Sequence, residues 1–194
     1  RTEIKLALKL WLRGLARADQ SEIILFFAGH GLASQDGEDL YFLPYDGVAT
    51  LLSDTALLRD DLFKTLASFS PKSVTVFVDT CYSGIGRGDE VLVASARGLT
   101  ITPKESPIPA NFTVFSAASG SQISSGFDET KQGLFSYFLM KGLEGNADAD
   151  GDRKITAGEL HAYVRDKVQQ QAARMGREQT PELQGNSSRV LVSW

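Results

Sequence analysis

The chain has 194 residues, 42% of them hydrophobic and 23% charged, with a formal net charge of −4 and a single cysteine. That length is enough for one domain with a sizeable core. The charge balance lacks the basic excess of a nucleic-acid binder, and no apolar run reaches the roughly 18 residues of a membrane span. One cysteine cannot form an internal disulfide, which fits a reducing, cytoplasmic setting and leaves the thiol available for chemistry.

Residues 3–18 have helical spacing, with Ile4, Leu8, Trp11, Leu12 and Leu15 on one apolar stripe. Residues 22–28 read as a strand, and the unbroken run from Ile23 to Phe27 predicts burial on both faces. Small residues and a histidine follow: Ala28, Gly29, His30, Gly31. Residues 31–39 have loop composition, and Leu40 to Leu43 make a short strand stopped by Pro44. Asp54 is placed to cap a helix over about 55–69, with Leu57, Leu58, Leu62, Phe63 and Leu66 facing inward. A second buried strand over 73–78 runs into Asp79-Thr80-Cys81-Tyr82-Ser83-Gly84. Residues 83–110 are rich in Gly, Ser and Pro and read as a long mobile connection, a feature usually tied to function. A strand over 111–116, helices over 132–144 and 157–171, and a last strand over 189–193 that closes the sheet complete the chain. Strands alternating with helices predict an α/β sandwich around a mostly parallel sheet.

In such a sheet the carboxyl ends of neighbouring strands share a crevice where chemistry takes place. Two strands of one type deliver an imidazole and the only thiol there. That pattern suits a Cys81 nucleophile with His30 as its proton-transfer partner, and backbone N–H groups of Gly31 and Cys81 as an oxyanion hole. Taken singly, each residue has a blander reading: free cysteine commonly packs as a small core hydrophobe, and a loop histidine needs no special role. The joint pattern, with Gly29 and Gly31 beside the histidine and Gly84 three residues after the cysteine, favours the chemical reading.

Phe-Ala-Gly-His-Gly followed by Asp-Thr-Cys-Tyr-Ser-Gly, with 51 residues from His30 to Cys81 (81 − 30), resembles the caspase/metacaspase group of cysteine peptidases. Asp-x-Cys-x-Ser-Gly, in place of the Gln-Ala-Cys-x-Gly of caspases proper, is similar to metacaspases and their bacterial relatives, the orthocaspases. The resemblance implies a caspase-like three-layer αβα sandwich forming one catalytic domain over 1–194. A large-segment-like part (1–85), a linker (86–110) and a small-segment-like part (111–194) would compose it. It implies protein or peptide substrates, with Asp79 in the primary specificity pocket selecting Arg or Lys, since a charge entering a pocket needs a partner. Ala28 stands where many metacaspases have a pocket serine, and Tyr82 where eukaryotic members often have histidine. Ser116 and Ala117 match the loop that walls the substrate groove. Arg87, Arg97 and Lys104, on the linker, are the self-cleavage candidates. Relatives carry a further strand and helix ahead of the segment matched here. That strand lies inside their sheet and adds an acidic pocket residue, so the resemblance implies that its counterpart here is a separate N-terminal fragment of the same protein acting as a partner, a disordered region or a segment cut away.

The chemistry needs no cofactor, but calcium as an activator is suggested at two places. Asp148, Asp150, Asp152, Thr156 and Glu159 occupy positions 1, 3, 5, 9 and 12 of an EF-hand-like loop, although Arg153 stands where glycine is usual, at a cost of roughly 1 kcal/mol. The competing reading is an acidic turn in which Thr156 caps the next helix with Glu159 as its capping-box partner. The family resemblance suggests a second ion, held by Asp39 with Asp54 and Asp89 beside the active site. Rival functions are a non-catalytic caspase-like scaffold, a calcium-responsive interaction module centred on 148–159, and an acyltransferase or esterase using the same dyad.

Overall fold

The computed structural model of the chain describes residues 1–34, 36–80, 107–120, 122, 124–127 and 131–194. An N-terminal helix comprises α1 (Thr2–Leu6), a π-helical segment (Ala7–Leu12) and α2 (Arg13–Leu15). There follow β1 (Glu22–Ala28), β2 (His30–Ala33), β3 (Leu40–Leu43), α3 (Leu52–Thr55), β4 (Leu57–Leu58), α4 (Arg59–Ala67) and β5 (Ser73–Asp79). The second half has β6 (Phe112–Ser116), β7 (Gly126–Phe127), β8 (Gln132–Gly133), α5 (Leu134–Lys141), a π-helical turn (Gly142–Asn146), β9 (Lys154–Thr156), α6 (Ala157–Arg174), β10 (Glu182–Gly185) and β11 (Val190–Ser193).

The central sheet has the order β1-β5-β6-β10, the first three strands parallel and β10 antiparallel to β6. Side-chain alternation splits its strands between two cores. Val74, Val76 and Val78 of β5, with Phe112 and Val114 of β6, face α4 (Leu62, Phe63, Leu66) and the N-terminal helix. Phe77 and Phe115 face the other way, toward α5 and α6. Helices on both faces of a mostly parallel sheet make the expected three-layer sandwich. Ala157, Leu160, Val164, Val168 and Ala172 form the buried stripe of α6 at helical spacing. A Cβ on Gly142 would lie 2.6 Å from the Leu160 side chain, so glycine permits the close approach of the α5 end to α6. Among the described residues no helix is long and apolar enough to cross a membrane.

Several local expectations are corrected. Asp54 does not cap the helix after it: it sits in α3, and α4 begins at Arg59 with Leu58 as N-cap and no side-chain cap. Leu57 and Leu58 instead pair with Phe42 and Tyr41 of β3, so backbone pairing wins over helix extension there. The last strand does not close the central sheet. β11 pairs with β9, and the sheet is closed by β10, whose sequence Glu-Leu-Gln-Gly carries one large apolar residue and little strand signal. In the N-terminal helix only Leu8 and Leu12 of the expected stripe pack on the core, while Ile4, Trp11 and Leu15 are exposed. The wider π-helical turn breaks the 3.6-residue phase on which the stripe relies.

β5 is buried throughout, as its composition predicts, but β1 is not. Its Ile23 side packs against the α4 core, whereas Ile24 is 74% and Phe26 52% exposed, because α5 and α6 cover β5 and β6 and not this edge strand. The resemblance places a further strand inside the sheet. Here β1 and β5 are hydrogen-bonded to each other directly. Leu160→Ala is expected to cost roughly 2–5 kcal/mol in urea unfolding. Ile24→Lys, on the uncovered face, is expected to change stability by less than about 0.5 kcal/mol while reducing self-association in light scattering.

Candidate active site

The carboxyl ends of β1, β5 and β6 converge. The parallel register runs from Glu22 opposite Ser73 to Ala28 opposite Asp79. One residue further, the Gly29 N–H donates to the Asp79 carbonyl at 3.2 Å. On the other side of β5, the Ala117 N–H donates to the Val78 carbonyl at 2.9 Å. His30 opens β2, opposite Leu43 of β3, and is exposed, while the next residue, Gly31, is buried opposite Phe42. The imidazole therefore stands on backbone fixed from two directions, by the central sheet through Gly29 and by the β2–β3 ladder. A Cβ on Gly29 would meet the Phe27 ring at 3.3 Å, which favours glycine at this bend.

Asp79 is fully buried at the end of β5. Its carboxylate accepts a hydrogen bond from the Ser124 hydroxyl at 2.6 Å and another from the Ser136 hydroxyl at 2.5 Å. Ala28, its register partner, is exposed. Ser116 ends β6 between Val78 of β5 and Glu182 of β10. Ala117 is buried, with its carbonyl accepting from the Gln179 side-chain amide at 2.9 Å. The same buried Gln179 accepts from the Ser125 N–H at 2.8 Å, and Gln122 accepts from the Thr180 N–H at 2.7 Å. Two glutamines thus stitch the segment after β6 to the stretch before β10. The expectation that Ala117 contacts a substrate meets a side chain that is fully buried here.

Ser124, Ser136 and Gln179 were invisible to sequence reasoning. Ser136 was the most findable: the one small polar side chain among Leu134, Phe135, Tyr137, Phe138 and Leu139, on a helix where Leu134, Phe135 and Leu139 are buried. Gln179 sits in a polar run with nothing to mark it. Cys81, Asp89, Arg87, Arg97 and Lys104 lie outside the described residues.

Among the described residues one carboxylate cluster could hold a metal ion: Asp148, Asp150 and Asp152, with one oxygen from each within 4.8 Å of the others. Arg153 occupies the glycine position of the loop at φ 63°, and Ile155 is buried in β9. Thr156 and Glu159 form a complete capping box at the start of α6. Asp39 and Asp54 join no such cluster among the described residues. The Asp39 carboxylate accepts from the Tyr41 hydroxyl at 3.3 Å, and burial with the nearby Asp39 charge pushes the Tyr41 hydroxyl above its ordinary value.

The family model described as Caspase domain matches residues 1–192, and the chain belongs to this family. It is a family of cysteine peptidases, whose substrates are proteins or peptides. Among solved structures the chain is similar to that of caspase-1 from Spodoptera frugiperda, with a TM-score of 0.63 at 19% sequence identity over 98% of this chain and 69% of that one. At that identity the likeness establishes the fold. Comparison with curated proteins finds no match.

Hydrogen bonds from the Thr156 N–H and hydroxyl hold the Glu159 carboxyl below its ordinary value. A carboxyl lowered in the folded state stabilises fully above its unfolded pKa, about 4.3 for glutamate, and loses that contribution as the pH falls through the lowered value. Removing the N-cap hydroxyl in Thr156→Ala is expected to cost about 1 kcal/mol near neutrality. In thermal unfolding followed against pH, its deficit shrinks below about pH 4.3.

Proposed function

We propose that the chain is a cysteine endopeptidase of metacaspase or orthocaspase type, cutting after Arg or Lys with a Cys81–His30 dyad. The observation that carries this reading is the β1–β5 register. Its offset is 51 residues, Ala28 opposite Asp79, the same as the separation of His30 from Cys81 in the sequence. The Gly29–Asp79 hydrogen bond continues the match beyond the ladder, one residue short of His30 and two short of Cys81.

In the proposed mechanism the Cys81 thiolate attacks the scissile carbonyl carbon. The resulting oxyanion accepts from the backbone N–H groups of Gly31 and Cys81. Protonated His30 gives its proton to the leaving amine, the carbon–nitrogen bond breaks, and an acyl-thioester remains. Neutral His30 then takes a proton from water, whose oxygen attacks the thioester, releasing the acid and restoring thiolate and imidazolium. No metal takes part in these steps. Asp79 supplies the negative charge for a basic side chain, with Ala28 and Ser116 flanking it on the neighbouring strands. Cuts at Arg87, Arg97 or Lys104 would be self-processing by the same preference.

A panel of fluorogenic peptides tests this. Cleavage after Arg and Lys is expected, with Cys81→Ala and His30→Ala each lowering kcat by about 1,000-fold or more, and Asp79→Asn raising KM for basic substrates. Cleavage after Asp with none after Arg rejects the specificity. A folded protein that cleaves nothing supports the scaffold reading.

The convergence of Asp148, Asp150 and Asp152 favours a second role, calcium binding at 148–159. Asp148, Asp150 and Asp152 would supply carboxylate oxygens, and the ion would have to draw Thr156 and Glu159 from their cap. The activator site at Asp39, Asp54 and Asp89 is the alternative location. Calcium calorimetry separates them: heat lost in Asp148→Ala places the ion in the loop, heat lost in Asp39→Asn places it at the activator site, and no heat in the wild type removes both.

A further inference from the structure

The specificity carboxylate is held by hydroxyls from a different part of the chain. Asp79 ends β5, and the two hydroxyls among the described residues that donate to it follow the linker, 45 and 57 residues away. Ser124 stands two residues before β7, and Ser136 is the third residue of α5. β7 and β8 pair directly, Gly126 opposite Gly133, and the Leu134 N–H donates to the Ser125 carbonyl at 2.9 Å. Both serines are therefore carried by one hairpin-and-helix unit, which brings them to opposite oxygens of one carboxylate. Ser124 is fully buried and Ser136 nearly so.

This arrangement is selective. Thr80 and Ser125, the chain neighbours of Asp79 and Ser124, also carry buried hydroxyls, yet neither hydroxyl has a hydrogen-bond partner among the described residues. A buried hydroxyl is costly to leave unpaired, and here the two that are paired converge on the carboxylate. A hydroxyl on each oxygen fixes the rotation of the carboxylate about its bond to Cβ. Fixed orientation matters most for a planar guanidinium, which engages a carboxylate edge-on through two parallel hydrogen bonds, and less for an ammonium, which approaches as a point charge.

We infer that Ser124 and Ser136 are positioning residues for substrate recognition: they lock the Asp79 carboxylate in the orientation that receives a basic side chain. The inference rests on Asp79 being the specificity residue. It goes further in assigning two residues after the linker to the same pocket. Asp79 would then be set for recognition only when the β7–β8–α5 unit is docked on β5.

The test is steady-state kinetics on matched Arg and Lys peptides, with thermal unfolding of each variant in parallel. Ser136→Ala and Ser124→Ala are each expected to raise KM for the Arg peptide about tenfold with little change in kcat, and to affect the Lys peptide less. Ser136→Thr, which keeps the hydroxyl, restores KM. Ser125→Ala, which removes a hydroxyl not bonded to Asp79, leaves KM unchanged. A purely structural tie predicts the opposite split: a lower melting temperature with KM unmoved below it, which overturns the inference while Arg cleavage by the wild type keeps the function reading intact. Should Ser136→Ala fail to fold, Ser124→Ala decides alone. A wild type that cuts only after non-basic residues overturns both.

Discussion

The register between β1 and β5 is the constraint on which the site depends. A parallel ladder seven residues long fixes one strand against the other to within a residue, because a one-residue slip would turn every side chain to the opposite face. Such a slip would carry Val74, Val76 and Val78 out of the α4 core and Phe77 out of the α5–α6 core. Packing on both faces therefore enforces the alignment that sets Gly29 beside Asp79. The proposed chemistry would inherit its geometry from this apolar burial.

The second organising element is polar. The end of β5 is flanked by Gly29 on one side and Ala117 on the other, and both contacts are backbone hydrogen bonds. Around them Ser124, Ser136 and Gln179 place buried hydrogen bonds between segments distant in sequence. Hydrogen bonds made away from water discriminate between arrangements more sharply than apolar contacts do, since a misplaced donor is left unsatisfied. The apolar layers make the sandwich, and these bonds select how the loops at its carboxyl end are set.

The two central strands were legible because β-branched and aromatic runs ending in small residues have few other uses, and β5 is buried along its whole length as its composition demands. Helix α6 was legible from its stripe and from the Thr156–Glu159 pair that caps it. What stayed hidden depends on partners distant in sequence. β10 is a strand because β6 offers it an edge, and Gly185 at φ 108° ends it where a Cβ would strike the Phe112 carbonyl. β11 carries the stronger strand signal and goes elsewhere, to β9. The uncovered face of β1 depends on how far α5 and α6 reach, which no local pattern records. The family was legible from two short motifs, since both report the same strand-end geometry. The serines around Asp79 were not, because no fixed spacing links a hydroxyl to a carboxylate 45 or 57 residues away.

The most direct measurement is a crystal structure with a peptidyl-arginine electrophile bound. The expected result is a covalent bond from the electrophile to the Cys81 sulfur, the His30 ring within about 4 Å of that sulfur, and the arginine side chain directed at Asp79. An adduct at Cys81 with the His30 imidazole turned away and solvent between them would contradict the dyad at the centre of the proposed chemistry.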